Sequence, residues 1–208
     1  LDTLDPERYA EITRRELHPE ALRGLRAAME HPEIPLKINC VPMFPDWENY
    51  IRLAELARNA PVHVRFIEMM PIGYGKQFPF LRGERIRKIL EEAFGELTPA
   101  PDCVGNGPAR SFSIAGFQGK IGFISAVTHR FCGTCNRVRL TSEGYLKLCL
   151  QYEEGIDLRG RIRGGCTDGE LAEVIREAIQ RKPFSHHFYE KAGEARRDEE
   201  RIMSQIGG

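Results

Sequence analysis

The sequence contains no apolar run long enough to cross a bilayer and no secretory hydrophobic region. A cytoplasmic protein without a membrane anchor is the expectation. Lys and Arg number 30 against 30 Asp and Glu, so the net charge is zero. Bulk charge therefore recruits neither nucleic acid nor a membrane surface. Six cysteines in 208 residues are too few for a disulfide scaffold, and their clustering suits metal binding in a reducing compartment. There is no internal repeat. Gly73-x-Gly75-Lys76 lacks the spacing of a P-loop or a dinucleotide fingerprint. The first residue is Leu1 rather than Met, and upstream sequence is expected to be missing.

What is present reads as alternating helix and strand in the first half. Asp5-Pro6-Glu7 is a helix start, with an N-cap Asp and Pro in the first turn. A second helix begins near Pro19. Pro35 to Val41 predicts a short strand, Asp46 to Arg58 a helix, and Val62 to Met70 a second strand. Strand, helix, strand at this spacing implies a parallel βαβ unit. Pro71 to Lys76 follows the second strand, where such folds hold ligands. A helix over Arg85 to Phe94 precedes a Pro- and Gly-rich stretch, Thr98 to Pro108, which predicts a domain boundary. The second half predicts a hairpin (Ser111 to Gly116, Lys120 to Ser125) and strands over Asn136 to Thr141 and Tyr145 to Leu150. Ser142-Glu143-Gly144 is the turn between those two strands. A helix runs from Asp168 to Arg181, and only a charged, loosely patterned tail follows Pro183.

The strongest chemical signal is three cysteines. Cys132 and Cys135 form a C-x2-C turn, and Cys149 follows after thirteen intervening residues. Two thiolates on one turn can share a metal, and a third on a returning hairpin can join them. With three soft ligands and no obvious fourth, a coordination position stays open. The bland reading is a structural zinc completed by Cys166, in the pattern C-x2-C-x13-C-x16-C, or by His129. From spacing alone zinc, an iron–sulfur cluster and unligated thiols all stay open.

Arg137 and Arg139 are two apart on a predicted strand and so share a face. Guanidinium pairs suit phosphate oxygens, although an edge strand guarded by charge explains them as well. Beside an open metal site an anionic substrate is the better reading. Lys37 and Arg65 stand inside apolar strands and should end in a lumen or cleft, because an unpaired buried charge is costly. The alternative is that each snorkels to water from a strand edge. Glu68, three residues past Arg65, should face the other way and not pair with it. Met69-Met70 reads as core filler, and the adjacent His186-His187 reads as solvated. Cys40 and Cys103 carry no assigned role.

Several stretches then line up in order: Leu1-Asp2-Thr3-Leu4, Leu36-Lys37-Ile38-Asn39, Arg65 through Gly73, Gly122 through Leu150, Lys182-Pro183 with a following His, and a terminal Gly-Gly. Together they resemble the radical S-adenosylmethionine GTP 3′,8-cyclases of molybdenum cofactor (molybdopterin) biosynthesis. The resemblance covers nearly the whole chain. It implies an α/β fold, the carboxy-terminal strands of a partial radical-SAM (βα) barrel over 1–97, with a small α+β [4Fe-4S]-binding module and Gly-Gly tail over 98–208.

The resemblance also implies roles. Cys132, Cys135 and Cys149 look like ligands of a [4Fe-4S] cluster whose open iron takes the guanine of GTP. Lys37, Arg65, Arg137, Val138 and Arg139 look like GTP contacts. Met70 matches a backbone contact to S-adenosylmethionine. Gly207 and Gly208 match a tail that supports catalysis. In the intact enzyme a second [4Fe-4S] cluster would cleave S-adenosylmethionine, and the resulting radical would start cyclisation of GTP to (8S)-3′,8-cyclo-7,8-dihydroguanosine 5′-triphosphate. A downstream pterin synthase would take the product, and a homodimer is left open.

The family's C-x3-C-x2-C motif for that second cluster is absent here, so the chain alone is expected to be inactive. Two other functions stay open, a zinc-stabilised binding module without catalysis and a radical enzyme acting on another phosphorylated substrate.

Overall fold

The computed structural model describes residues 1–101, 107–189 and 197–206. They fall into two compact units, 1–69 with 79–129, and 70–78 with 130–208.

The first unit starts with α1 (Pro6–Thr13), and the Asp5 side chain caps it by accepting from the Arg8 N–H at 2.7 Å. Then come α2 (His18–Met29), β1 (Lys37–Cys40), α3 (Trp47–Glu55), β2 (His63–Ile67), α4 (Gly83–Phe94), β3 (Thr98–Ala100), β4 (Arg110–Ser113) and β5 (Lys120–Ile124). The sheet order is β1-β2-β5-β4-β3. β1, β2 and β5 run parallel, while β4 and β3 are antiparallel additions. The predicted βαβ unit and the predicted hairpin are both present.

This sheet is open among the described residues, and no closed barrel is formed. The stretch expected as a boundary contributes β3, which pairs with β4, so the sheet continues past residue 97 without a break. The β2 strand ends at Ile67, earlier than the predicted Met70.

Strand alternation sorts the side chains onto two faces. Ile38, Cys40, Val64, Phe66, Ile121 and Phe123 point to one face, where Tyr50, Leu53 and Ala54 of α3 and Ile86 and Leu90 of α4 cover them. Phe66 stacks on Phe123 with ring centroids 5.9 Å apart. Burying each such side chain stabilises the fold by about 1.5–3 kcal/mol. The opposite face carries the polar positions of the same strands.

The second unit holds β6 (Arg139–Leu140), β7 (Tyr145–Lys147), β8 (Gly155–Asp157), α5 (Leu158–Arg163) and α6 (Asp168–Gln180). The three strands are antiparallel in the order β6-β7-β8. The turn at Ser142-Glu143-Gly144 is confirmed, closed by Gly144 N–H donating to Thr141 O at 2.9 Å. β6 is far shorter than predicted, and Arg137 lies outside it. α6 starts on a full capping box between Thr167 and Glu170.

The described residues after Pro183, 184–189 and 197–206, are packed more closely than their charged, loosely patterned sequence suggests. His186, Phe188, Glu199 and Ile206 are all buried. Tyr152 bridges Asp198, and Glu199 N–H donates to Gln151 O at 2.5 Å.

Candidate functional site

On the polar face of the first unit, register places Lys37 beside His63, Asn39 beside Arg65, and Ser111 and Arg65 on either side of Gly122. Arg65 donates from Nε to Asn39 Oδ1 at 2.8 Å, and Ser111 Oγ lies 3.4 Å from His63 Nε2. Partial burial lowers the pKa of the Arg65 guanidinium. A Cβ at Gly122 would come within 2.7 Å of His63 Nε2 and 3.0 Å of Arg65 Cγ. Glycine there makes room for both side chains. Lys37 and Arg65 thus share one sheet face with Asn39, His63 and Ser111. The sequence reading missed the last three, although every second residue from Lys37 and from Arg65 would have found Asn39 and His63.

Glu68 sits just past the end of β2 and is buried. Its carboxylate accepts from Gly83 N–H at 3.1 Å, Val127 N–H at 3.0 Å, Thr128 N–H at 2.9 Å and the Thr128 hydroxyl at 2.6 Å. It ties the start of α4 to the loop after β5. Arg65 and Glu68 therefore have different partners, as their spacing predicts.

In the second unit Cys132 opens a 3-10 turn, Cys132–Thr134, and Cys135 N–H closes it on Cys132 O at 3.1 Å. Cys149 lies two residues past β7. All three are half-buried, and neither they nor Cys40 or Cys166 form a disulfide. Among the described residues no three His, Cys, Asp or Glu side chains converge on a point able to hold one metal ion. The donor set is three reduced thiols, two of them on one tight turn. In its chemistry it suits an iron–sulfur cluster, a cage in which each thiolate holds a different iron.

Arg137 and Val138 are exposed and Arg139 is half-buried in β6. The strand expected to carry both arginines begins only at Arg139, so Arg137 precedes it. Arg137 O takes its hydrogen bond from the Lys182 ammonium, at 2.6 Å, instead of from a ladder. Met70 opens the stretch 70–78, and its carbonyl accepts from Ile72 N–H at 2.8 Å. Gly73 has φ +52°, and a Cβ there would lie 2.9 Å from Ile202 Cα. The glycine that looked like a weak motif lets this stretch pack against 197–206. His186 is buried against Phe188 at 4.5 Å between ring centroids, a correction to its solvated reading. Gly207 and Gly208 lie outside the described residues, as does Cys103.

A family model described as Molybdenum Cofactor Synthesis C matches residues 62–188, more than half of the chain. The chain belongs to this family. The Molybdenum Cofactor Synthesis C match takes in β2 with Arg65, the three thiols, the arginines and the segment that follows α6, while Lys37 precedes it.

The chain is 40% identical over its whole length to a protein named GTP 3′,8-cyclase from Clostridium perfringens, covering 64% of that relative. It is 41% identical to one of the same name from Heliobacterium modesticaldum, again over 64% of the relative. A third, from Gloeobacter violaceus, is 40% identical with 65% covered. The chain thus spans about 64% of the length of the curated relatives it matches. Among the described residues no helix is long and apolar enough to cross a membrane.

Proposed function

We propose that the chain is the substrate-holding part of a GTP 3′,8-cyclase in molybdenum cofactor biosynthesis. The whole-length identity to relatives of that name supports the reading. The observation that carries it is the set of three free, half-buried thiols, two of them on one turn, followed directly by Arg137 and Arg139.

Cys132, Cys135 and Cys149 are the residues that would hold a [4Fe-4S] cluster, which when bound supplies an open iron for the guanine. Arg137 and Arg139 offer guanidinium donors to phosphate oxygens, and Val138 between them is an apolar contact for the nucleotide. Lys37 and Arg65 add cationic donors on the polar sheet face. The Asn39 side chain accepts from Arg65 Nε and fixes the orientation of that guanidinium.

Met70 is the backbone contact for S-adenosylmethionine, and Gly207–Gly208 is the tail that supports the reaction. The parent protein would carry out radical cyclisation of GTP with a second cluster held outside this chain. The 208-residue chain alone would bind GTP without turning it over. A pterin synthase in the cytoplasm would consume the product.

The test is anaerobic reconstitution with iron and sulfide. The expected result is a [4Fe-4S] signal that GTP perturbs and that Cys149→Ala abolishes. Tightly held zinc without iron or sulfide, lost on Cys166→Ala, would replace this reading with a zinc-stabilised binding module. A cluster that responds to other phosphorylated compounds but not to GTP would point to a different substrate.

A further inference from the structure

The segment that follows α6 meets both flanks of both thiol-bearing stretches. Lys182 Nζ donates to Arg137 O at 2.6 Å and to Leu148 O at 2.8 Å. Arg137 is two residues beyond Cys135, and Leu148 immediately precedes Cys149. Arg130, two residues before Cys132, donates from Nη1 to Ser185 Oγ at 3.4 Å. On the far side of Cys149, the Tyr152 hydroxyl donates to Ser185 O at 3.3 Å, and Gln151 Oε1 accepts from His187 N–H at 2.6 Å.

Five hydrogen bonds from one short segment thus bracket the C-x2-C turn and the third cysteine on either side. Pro183 is buried and fixes the direction of the chain just after Lys182. An ammonium has three donors and suits two carbonyls from separate stretches at once. Hydrogen bonds to a charged donor are also the stronger kind.

We propose that residues 182–187 are a brace, and that Lys182 is a positioning residue which sets the spacing between Cys149 and the Cys132–Cys135 turn. Lys182 touches no thiol. It acts through the backbone on which the thiols stand, holding them near one another before any iron arrives. The proposal rests on the reading that the three thiols share a cluster, and it adds a residue and a means to that reading.

The experiment uses the 208-residue protein and the variant Lys182→Met, with two readouts. In the metal-free state a short bis-maleimide joins Cys149 to Cys132 or Cys135, and the joined peptides are counted after digestion. The variant should show a several-fold drop while its thermal unfolding midpoint stays near that of the parent. After anaerobic reconstitution, retention of iron against a chelator should fall about 10-fold, the effect usual for lost outer-shell support of a metal site.

Tyr152→Phe, which removes only the hydroxyl given to Ser185 O, should move both readouts in the same direction by less, and it decides the matter if Lys182→Met does not fold. Unchanged cross-linking and unchanged iron retention in the variants would overturn the proposal. Loss of iron with unchanged cross-linking would overturn it too, because the spacing would not be what Lys182 controls. If the parent chain holds no iron at all, the cluster reading fails, and the cross-linking result still decides the brace.

Discussion

Replacing Glu199 by Gln should destabilise the second unit by roughly 3 kcal/mol at neutral pH. Glu199 and Lys147 form an ion pair with both side chains 0% exposed. Lys147 also donates to Tyr152 O at 2.7 Å, and Arg201 donates to both Glu199 oxygens at 2.9 Å. Burial by itself raises the pKa of the carboxyl. The hydrogen bonds from Arg201 and Lys147 outweigh it and bring the pKa down from 4.5 to about 2.

A depressed carboxyl pKa stabilises the fold fully above the unfolded value of 4.5, and that contribution is lost as pH falls toward about 2. The gap is worth roughly 3 kcal/mol at pH 7. An independent route agrees, since breaking a buried pair costs about 3–5 kcal/mol by leaving the other charge unmatched. Urea unfolding of parent and Glu199→Gln, followed by hydrogen exchange in β7 and β8, measures the difference. It should be near 3 kcal/mol at pH 7 and shrink by about half at pH 3, as the parent loses what the variant never had. A difference below about 1 kcal/mol at pH 7, or one that stays constant down to pH 3, would refute the reasoning.

Two further outcomes follow from the geometry. Gly73→Ala places a Cβ 2.9 Å from Ile202 Cα at a residue with φ +52°, so 197–206 must shift. The loss should be at least roughly 1 kcal/mol, with faster amide exchange at Gln205 and Ile206. Cys40 is fully buried, and burial together with the Asp2 carboxylate pushes its thiol pKa up. Alkylation of the native protein at neutral pH, read by peptide mass, should modify Cys132, Cys135 and Cys149 at least about 10-fold faster than Cys40. Equal rates would contradict the burial.

Much of the first unit was legible because its signals are local. Asp5-Pro6 announces a helix start, and alternation along His63–Ile67 assigns one face to Val64 and Phe66 and the other to His63 and Arg65. The pairing of β3 was not legible, since three residues around Pro99 carry no strand pattern. In the second unit the C-x2-C turn was plain, but the elements around it were not. Lys147 and Glu199 are 52 residues apart, and neither shows in sequence that the other will neutralise it. Lys182 bonds to two backbone carbonyls, which every residue possesses, so no side-chain pattern could flag the contact. The strand expected over Asn136 to Thr141 begins only at Arg139. The carbonyl of Arg137 has a stronger partner in the Lys182 ammonium than a ladder would give it.

The compact units do not divide at residue 97, for a related reason. Composition marks a Pro- and Gly-rich stretch there, but compactness depends on which surfaces bury one another. Residues 70–78 leave β2 of the first unit and belong to the second. Gly73 abuts Ile202, and Ile72 and Ile206 are both buried. A module cut at residue 98 would lack that stretch and leave the face of Ile202 uncovered. The stretch that begins with Met70 and the segment that leads to the Gly207–Gly208 end are therefore parts of one packed unit. A substitution such as Gly73→Ala, far in sequence from the thiols, acts on the same unit that carries them.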